Sequence, residues 1–419
     1  MNSSQKKNPF VAIACGGTGG HLFPGLAVAE QLKQCGCDVA LLISPKDVDQ
    51  QAGKSALGME IFTLPAVGLQ NRNYFSFAGS FVKSLFAARR IFRQRKPQAV
   101  LAMGGFTSAP PIFVAKEMGA KTFLHESNTI PGRANRFLAR FVDEAFVGFP
   151  EAAPRLHSRK TSVTGTPVRP QFFVSRITHH ASRVALGLDP DRPVVLVVGG
   201  SQGASGLNTM VLSALPLLAQ KNWQWLHLTG AKDFEKVKSA YATLGINAVV
   251  KSFFAEMDLA LGAATAAVSR AGASSLAEMA AMRLPSPLVP LPTAADNRQV
   301  SNAHAFATTG AAKLLEQKNS TPEKVAALLG ELVDDSAVRG IIQTALAQWH
   351  APKSAAEIAE SILRSVGQTV QKSSNLQAPT SRDTSSSDHQ VVSRAGIFGV
   401  WFLALLWSLE LGAWSFCRP

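Results

Sequence analysis

Four cysteines in 419 residues are too few and too poorly spaced for a disulfide framework or a zinc site. Cys35 and Cys37 do not form a C-x-x-C pair, and Cys15 lies inside an apolar run. A reducing, cytoplasmic setting is expected. The sequence has no D-x-D signature and no His/Cys cluster, so neither a metal nor any other cofactor is expected. No lysine follows Gly20, which excludes a G-x-x-x-x-G-K-[ST] phosphate loop. Leu22 stands where the third glycine of G-x-G-x-x-G belongs, so that fingerprint fails too. The opening stretch "MNSSQKKNPFVAIAC" lacks an apolar core long enough for a signal peptide. Acidic residues are in deficit, 28 against 42 Lys and Arg, for a net charge of +14. That balance calls for an anionic partner: a phosphorylated substrate, a membrane surface or nucleic acid.

What is present is one pattern, given twice. With 46% hydrophobic residues the chain can bury large cores, and beyond roughly 250–300 residues single cores tend to split. Short apolar runs alternate with helix-like stretches: "FVAIAC", "VALLIS", "AVLAMGG", "KTFLHE" and "EAFVGF". After "VTGTPVRP" the pattern restarts with "PVVLVVGG", "WQWLHLTG", "AVVKSF", "AAVSRAG" and "PLVPLP". Apolar strands separated by helices predict parallel sheets covered on both faces. The fold class is therefore α/β, with two Rossmann-like, doubly wound domains. The hinge is expected near Thr161–Arg169, where Gly165, Pro167 and Pro170 interrupt both periods. A last helical stretch, about Ser354–Val366, can pack back on the first domain.

Each domain opens with a glycine-rich turn after its first strand. "ACGGTGGHLFPG" follows Phe10–Cys15 and starts a helix carrying Leu26, Val28 and Leu32. A strand–loop–helix unit gathers free backbone N–H groups and a positive helix end at one point. Glycines let an anion approach those groups. Tight packing of the helix on the strand would also explain a lone glycine turn. The second loop, "VVLVVGGSQGASGLN", stands at the equivalent place in the second domain. In open α/β sheets ligands lie beyond the carboxyl ends of the strands. Two such edges facing each other make a cleft with two anion sites, suited to two phosphate-bearing reactants.

In order along residues 9 to 366 stand "GGTGGHLFPGLAVAEQL", "GGFTSAP", "LHESNTIPGRAN", "VTGTPVRP", "GGSQGASGLN", "SRAGASSLAEMAAMRLPSPLVPLP" and "ADNRQVSNA". Together they resemble the MurG family of GT-B glycosyltransferases. The resemblance implies transfer of N-acetylglucosamine (GlcNAc) from UDP-GlcNAc to lipid I, the undecaprenyl-diphosphate-linked muramoyl pentapeptide, giving lipid II with inversion. It implies an acceptor- and membrane-binding domain over 1–165 and a UDP-sugar domain over 166–367. The expected partners are UDP-GlcNAc, lipid I, the anionic inner leaflet and other cell-wall synthesis proteins, but not nucleic acid. The expected place is the cytoplasmic face of a bacterial inner membrane.

Residue by residue, Thr18, Gly19 and Gly20 match the family loop at the cleft. His21 follows them at a helix N-terminus, which lowers an imidazole pKa and suits a general base. Support of the loop is the other role open to it. In "HESN", Asn128 would hydrogen-bond the donor sugar, and Glu126 is either a rival base or an orienting group. Ser201 matches a contact to the donor phosphate and Arg169 a contact to the nucleotide. Ala273, Ser274, Ser275, Leu276, Ala277 and Glu278 match the loop and helix start over ribose and diphosphate. Glu278 can accept from both ribose hydroxyls. Phe254 stands beside the uracil, where the family has isoleucine. Gln299 and Asn302 match contacts to the transferred sugar. Phe106 for tyrosine, Ser127 for glutamine and Arg298 for histidine or glutamine are further departures. Two rival readings are another GT-B transferase joining a UDP-sugar to a lipid acceptor, and a non-catalytic envelope-assembly partner. "HESN" with "GGTGGH" speaks against the first. Retention of His21, Asn128, Ser201, Glu278 and Gln299 speaks against the second.

From Glu60 to Glu117 no acidic residue intervenes. There Tyr74, Phe75, Phe77, Phe81, Leu85 and Phe86 stand among Arg72, Lys83, Arg89, Arg90, Arg93, Arg95 and Lys96. Such a helix can lie on an anionic leaflet, or pack its apolar face in a core. Residues 368–394 read as a polar linker with too little apolar surface to fold. In 395–419, Gly396 to Leu409 carry no charge and Glu410 ends the run. The segment reads either as a membrane anchor or as an accidental tail.

Overall fold

The computed structural model describes residues 8–46, 49–50, 58–66, 74–173, 178–200, 203–292 and 295–368. Seven strands make the first sheet: β1 (Phe10–Ala14), β2 (Asp38–Ile43), β3 (Glu60–Thr63), β4 (Ala99–Ala102), β5 (Lys121–Glu126), β6 (Glu144–Val147) and β7 (Thr161–Val163). Their order is β3-β2-β1-β4-β5-β6-β7. Six more make the second: β8 (Val194–Val198), β9 (Gln224–Leu228), β10 (Ala248–Lys251), β11 (Ala266–Ser269), β12 (Pro287–Leu288) and β13 (Lys313–Leu314). Their order is β10-β9-β8-β11-β12-β13. Every pairing in both sheets is parallel. The architecture is the doubly wound α/β pair that the apolar runs predict.

Helices cover both faces, so β1 and β8 are buried along their whole length. Strand order reverses between β1 and β4 in one sheet and between β8 and β11 in the other. Crevices form at such reversals, beyond the carboxyl ends of the strands. Both glycine turns, the Gly104–Gly105 turn after β4, the "HESN" turn after β5 and the Arg270–Gly272 turn after β11 therefore converge on one cleft. The helix Gly19–Gln34 lies so close on β1 that a Cβ at Gly25 would sit 2.7 Å from that of Cys15.

The helix Ser354–Ser365 follows the second sheet in the chain but belongs to the core of the first. Ile358, Ala359, Ile362 and Leu363 pack with Val11, Leu26 and Phe123. Its Ser361 hydroxyl donates to the buried Glu144 carboxylate (2.6 Å), and Ser354 donates to the Gly165 carbonyl (2.9 Å). The 166–367 segment is thus not one packing unit.

The helix Tyr74–Gln94 divides its aromatics between the two readings of this stretch. Phe77 and Phe81 do not face outward; they are 8% and 6% exposed and pack in the core with Ile112 and Phe137. Phe75 and Phe86 face solvent, at 94% and 70%. The run of aromatics serves two faces, and helical spacing sorts them. Arg89 pairs with Glu117 (2.7 Å), and Arg95 pairs with Asp38 and stacks over Phe10. No described helix is long and apolar enough to cross a membrane. Arg72, the 369–394 stretch and the 395–419 segment lie outside the described residues.

Candidate active site

The first glycine turn is fixed from behind. The Gly17 N–H donates to Asp49 Oδ2 (2.6 Å), and the Gly17 carbonyl accepts from Lys46 Nζ (3.0 Å). Thr107 Oγ1 donates to the Gly16 carbonyl (2.6 Å). Gly17 has φ +116°, a backbone state that side chains rarely adopt. With those peptide groups turned inward, Thr18 and Gly20 at the start of the helix are exposed at the cleft, with Gly19 buried between them.

His21 stands at that helix start, with Nδ1 3.3 Å from Thr18 Oγ1. Its ring lies flush against the turn after β4. A Cβ on Gly104 or Gly105 would come within 3.1 Å of it, and both glycines have positive φ. Burial lowers the imidazole pKa; Arg298 and Lys46 push the same way, and the Glu126 and Asp49 carboxylates oppose them. The ring is therefore neutral near pH 7 and has a nitrogen lone pair to offer. His125, on β5, is also held neutral, with its pKa pushed down to about 4 by burial.

Glu126 is a buried carboxylate whose two oxygens each accept twice. Oε1 takes the Asn128 backbone N–H and amide (both 2.9 Å). Oε2 takes the Gly132 N–H (2.9 Å) and the Asn135 amide (2.8 Å). It shapes the Ser127–Gly132 turn.

That turn is joined to the second domain through Asn302, which is completely buried. Asn302 Oδ1 accepts from the Thr129 N–H and hydroxyl (both 3.0 Å). Asn302 Nδ2 donates to Asn128 Oδ1 (3.1 Å) and to the Ala271 carbonyl (3.2 Å). All four hydrogen-bonding positions of the amide are used. Asn128 keeps one amide hydrogen for a ligand, whereas Asn302, expected at the sugar, has none left while these bonds hold. Nearby, Asp296 lies within 4 Å of Arg133 and Arg136 (3.8 and 3.7 Å). Asp296 and Asn297 both have positive φ, near +55° and +52°. That local strain turns the chain so that the helix Arg298–Thr308 starts at the cleft.

A third joint runs from Ser274 Oγ to the Gly20 carbonyl (2.9 Å), placing the N-terminus of the helix Ala273–Met282 against the first glycine turn. Beside it, a cavity of about 410 Å³ is lined by Gly199, Gly203, Ser205, Arg270, Gln299 and Gln317, among others. Gln299 accepts from the Leu291 N–H (2.9 Å) at its rim. Arg169 is buried between the Phe23 and Phe172 rings, 4.7 and 5.3 Å from their centroids, with its Nε unpartnered. Glu278 is half-buried, and burial raises its carboxyl to about 7, against the pull of Arg169 and with a push from Asp258. Phe254 packs against the second core, and Ser275 and Ala277 are partly exposed. Ala273 and Leu276 are buried in that core, so only their backbones can meet a ligand. Ser201 lies outside the described residues.

The structure thus gathers Thr18, Gly19, Gly20, His21, Glu126 and Asn128 from one domain with Ser274, Gln299 and Glu278 from the other. Sequence reading missed Asp49, Lys46, Gly104, Gly105 and Arg270. Arg270 directly follows β11, and Gly104 and Gly105 follow β4. A search of every strand's carboxyl end would have found these three.

Models of the glycosyltransferase family 28 N-terminal and C-terminal domains match residues 11–147 and 194–362. A UDP-N-acetylglucosamine–N-acetylmuramyl-(pentapeptide) pyrophosphoryl-undecaprenol N-acetylglucosamine transferase of Anaeromyxobacter sp. is 36% identical over 355 residues, 83% of this chain and 91% of the relative. A protein of the same name from Exiguobacterium sibiricum is 29% identical over 84% of this chain and 98% of its own length. The crystal structure of Acinetobacter baumannii MurG superposes with a TM-score of 0.67 at 28% identity, covering 85% of this chain and all of that one.

The charges around His21 predict its titration. Followed by NMR of labelled histidine, the His21 midpoint should lie below the ordinary value near 6.5. Arg298→Ala removes a cation that opposes protonation and should raise the midpoint. Asp49→Asn removes an anion that favours it and should lower the midpoint. Shifts of the opposite sign would show that these groups do not face the ring.

Proposed function

The chain belongs to the MurG family within glycosyltransferase family 28, and from that premise we propose that it transfers GlcNAc from UDP-GlcNAc to lipid I, giving lipid II for peptidoglycan synthesis. The observation that carries the reading is the junction of the two glycine-turn edges, where Ser274 of one domain bonds Gly20 of the other beside a neutral histidine.

In this reading the acceptor sugar hydroxyl enters beside Gly19 and Gly20. Its oxygen attacks the anomeric carbon of GlcNAc from the face opposite UDP. The bond from that carbon to the diphosphate oxygen breaks, and UDP leaves with the electron pair. Attack from the opposite face inverts the centre, giving a β-linkage. His21 takes the hydroxyl proton. Its Nδ1 lies 3.3 Å from the Thr18 hydroxyl, and the nitrogen without a proton in the neutral ring is the receiving atom. Glu126, saturated by four donors, acts by orienting Asn128 and the turn rather than by accepting a proton. Asn128 offers its remaining amide hydrogen to the donor sugar.

The second domain holds the nucleotide. The N-termini of the helices Ser205–Leu218 and Ala273–Met282 point positive dipole ends and free N–H groups at the departing diphosphate. Ser201 and Arg270 add to that site, Gln299 reaches the transferred sugar, Phe254 flanks the uracil, and Arg169 reaches the nucleotide. Glu278 accepts from the ribose hydroxyls, a role that requires the ionised carboxylate.

Attachment to the membrane follows from the helix Tyr74–Gln94. Phe75, Val82 and Phe86 project from it beside the exposed Lys83, Arg90 and Arg93. Spacing of three or four residues puts them on one stripe. The stripe fits the anionic leaflet from which the lipid-linked acceptor is presented, at the cytoplasmic face.

Transfer of labelled GlcNAc from UDP-GlcNAc to a lipid I analogue tests the proposal directly. Absence of transfer by the folded protein would refute it. His21→Ala should slow turnover about 10²–10⁴-fold, the usual worth of a general base. Gly19→Val should block acceptor use and spare UDP binding, since only the Phe23 ring lies near a Cβ there.

Glu278 gives a pH dependence. Its carboxyl, raised to about 7, holds a proton below that pH. Affinity for UDP should therefore fall as pH drops from 8 to 6, with proton release on binding in calorimetry. Glu278→Gln should bind UDP more weakly at pH 8 and lose the dependence. A dependence retained in the variant would assign it to another group.

Phe75→Ser with Phe86→Ser should reduce co-sedimentation with anionic vesicles, and added salt should weaken it further, each Lys or Arg near the surface being worth about 1 kcal/mol. Turnover of a water-soluble acceptor should persist. Unchanged co-sedimentation would exclude this stripe as the docking surface.

A further inference from the structure

Behind the donor cavity runs a buried polar chain that the chemistry above does not use. His227 on β9 is fully buried, and Asn208 and Tyr241 are 2% exposed. His227 Nδ1 lies 3.1 Å from the Tyr241 hydroxyl, and Nε2 lies 3.1 Å from Asn208 Oδ1. Asn208 Nδ2 donates to the Thr229 carbonyl (2.9 Å) and to Asp233 Oδ2 (2.8 Å). With both amide hydrogens committed, Asn208 can only accept from His227. Nε2 therefore carries the ring proton, and Nδ1 accepts from Tyr241. Burial pushes the imidazole pKa down to about 3, so this neutral tautomer persists across the working pH range.

The chain ends at the second glycine turn. Asp233 also accepts from the hydroxyl of Ser205, the first residue of the helix whose N-terminus lines the cavity. The Thr229 carbonyl, fixed by Asn208, is the wall against which Gly203 closes; any Cβ on Gly203 would collide with it. Gly203 has φ +74° and donates its N–H to the Gly200 carbonyl (3.0 Å). The placement of Gly203 and Ser205 thus depends on where Thr229 and Asp233 are held.

We propose that His227, with Asn208 and Tyr241, is a positioning residue for the sugar-nucleotide donor: the chain locks the Thr229–Asp233 segment against Gly203 and so presets Gly203 and the N-terminus of the helix Ser205–Leu218 to receive the donor diphosphate. The inference rests on the reading that the donor occupies this cavity. Groups held in place in advance bind the diphosphate without a further ordering cost, so loosening them costs donor affinity. Acceptor recognition takes place on the other domain and does not depend on it.

Steady-state kinetics and UDP calorimetry on the full-length protein test this. His227→Phe keeps a flat ring and removes both hydrogen bonds. It should raise the KM for UDP-GlcNAc and the Kd for UDP about tenfold, the worth of roughly one buried hydrogen bond. The kcat at saturating substrates should change less than twofold, and the acceptor KM should not move. His227→Gln keeps a donor near the Nε2 position and should recover most of the affinity. Tyr241→Phe removes one hydroxyl and should give a smaller rise of the same kind; it and the Gln variant carry the test if the Phe variant does not fold. Unchanged donor KM in the folded variants, or equal rises for donor and acceptor, would overturn the inference. If wild-type protein binds no UDP, the donor reading fails and the inference fails with it.

Discussion

A single buried amide holds the site together. Asn302 spends three of its four hydrogen bonds on joining the start of the helix Arg298–Thr308 to the Ser127–Gly132 turn of the other domain, and the fourth on the Ala271 carbonyl of its own domain. A buried amide left unpaired costs about 1–3 kcal/mol, so this joint forms completely or not at all. When it forms, the same helix start delivers Arg298 to the surroundings of His21 and Gln299 to the rim of the donor cavity. The contact between the domains and the placement of Arg298 and Gln299 therefore share one helix start. The Ser274–Gly20 bond and the Asp296 pairs with Arg133 and Arg136 reinforce the same contact from its flanks.

The electrostatics follow from that arrangement. His21 is desolvated between two domains, and a cation from the far domain opposes its protonation. In the proposed mechanism its competence as a base therefore depends on the contact between the domains as well as on its own loop. Glu126, beside it, has both oxygens committed to four donors and serves to hold the Ser127–Gly132 turn. Two titratable groups a few residues of fold apart receive different roles from their surroundings. The histidines on β5 and β9 are a third kind, kept neutral by burial and used for structure.

Much of this was legible in the sequence. Apolar runs such as "FVAIAC", "VALLIS" and "PVVLVVGG" became β1, β2 and β8, because parallel strands covered on both faces leave no alternation to misread. The glycine turns were legible because few other residues tolerate such backbone. "PLVPLP" yielded only the two-residue β12, since Pro290 and Pro292 cannot continue a ladder. Phe77 and Phe81 could not be told from Phe75 and Phe86, because alternation of aromatics with cations does not say which face meets the core. Asn302 was read as a sugar contact because its partners Asn128 and Thr129 lie more than 170 residues away. Asp49 and Lys46 gave no signal in an ordinary turn, and their role exists only where β2 ends beside β1.

Asn302→Ala removes the joint and leaves both glycine turns intact, so it tests the closure most directly. Rapid-quench single-turnover transfer, with both substrates saturating, should fall at least tenfold, as expected for loss of a buried hydrogen-bonded joint. Affinities for UDP and for UDP-GlcNAc without acceptor should stay within about threefold of the wild-type values, which is less than one hydrogen bond is worth. An unchanged transfer rate would contradict closure by Asn302. So would a loss of UDP-GlcNAc affinity with UDP affinity retained, which would return Asn302 to the sugar site.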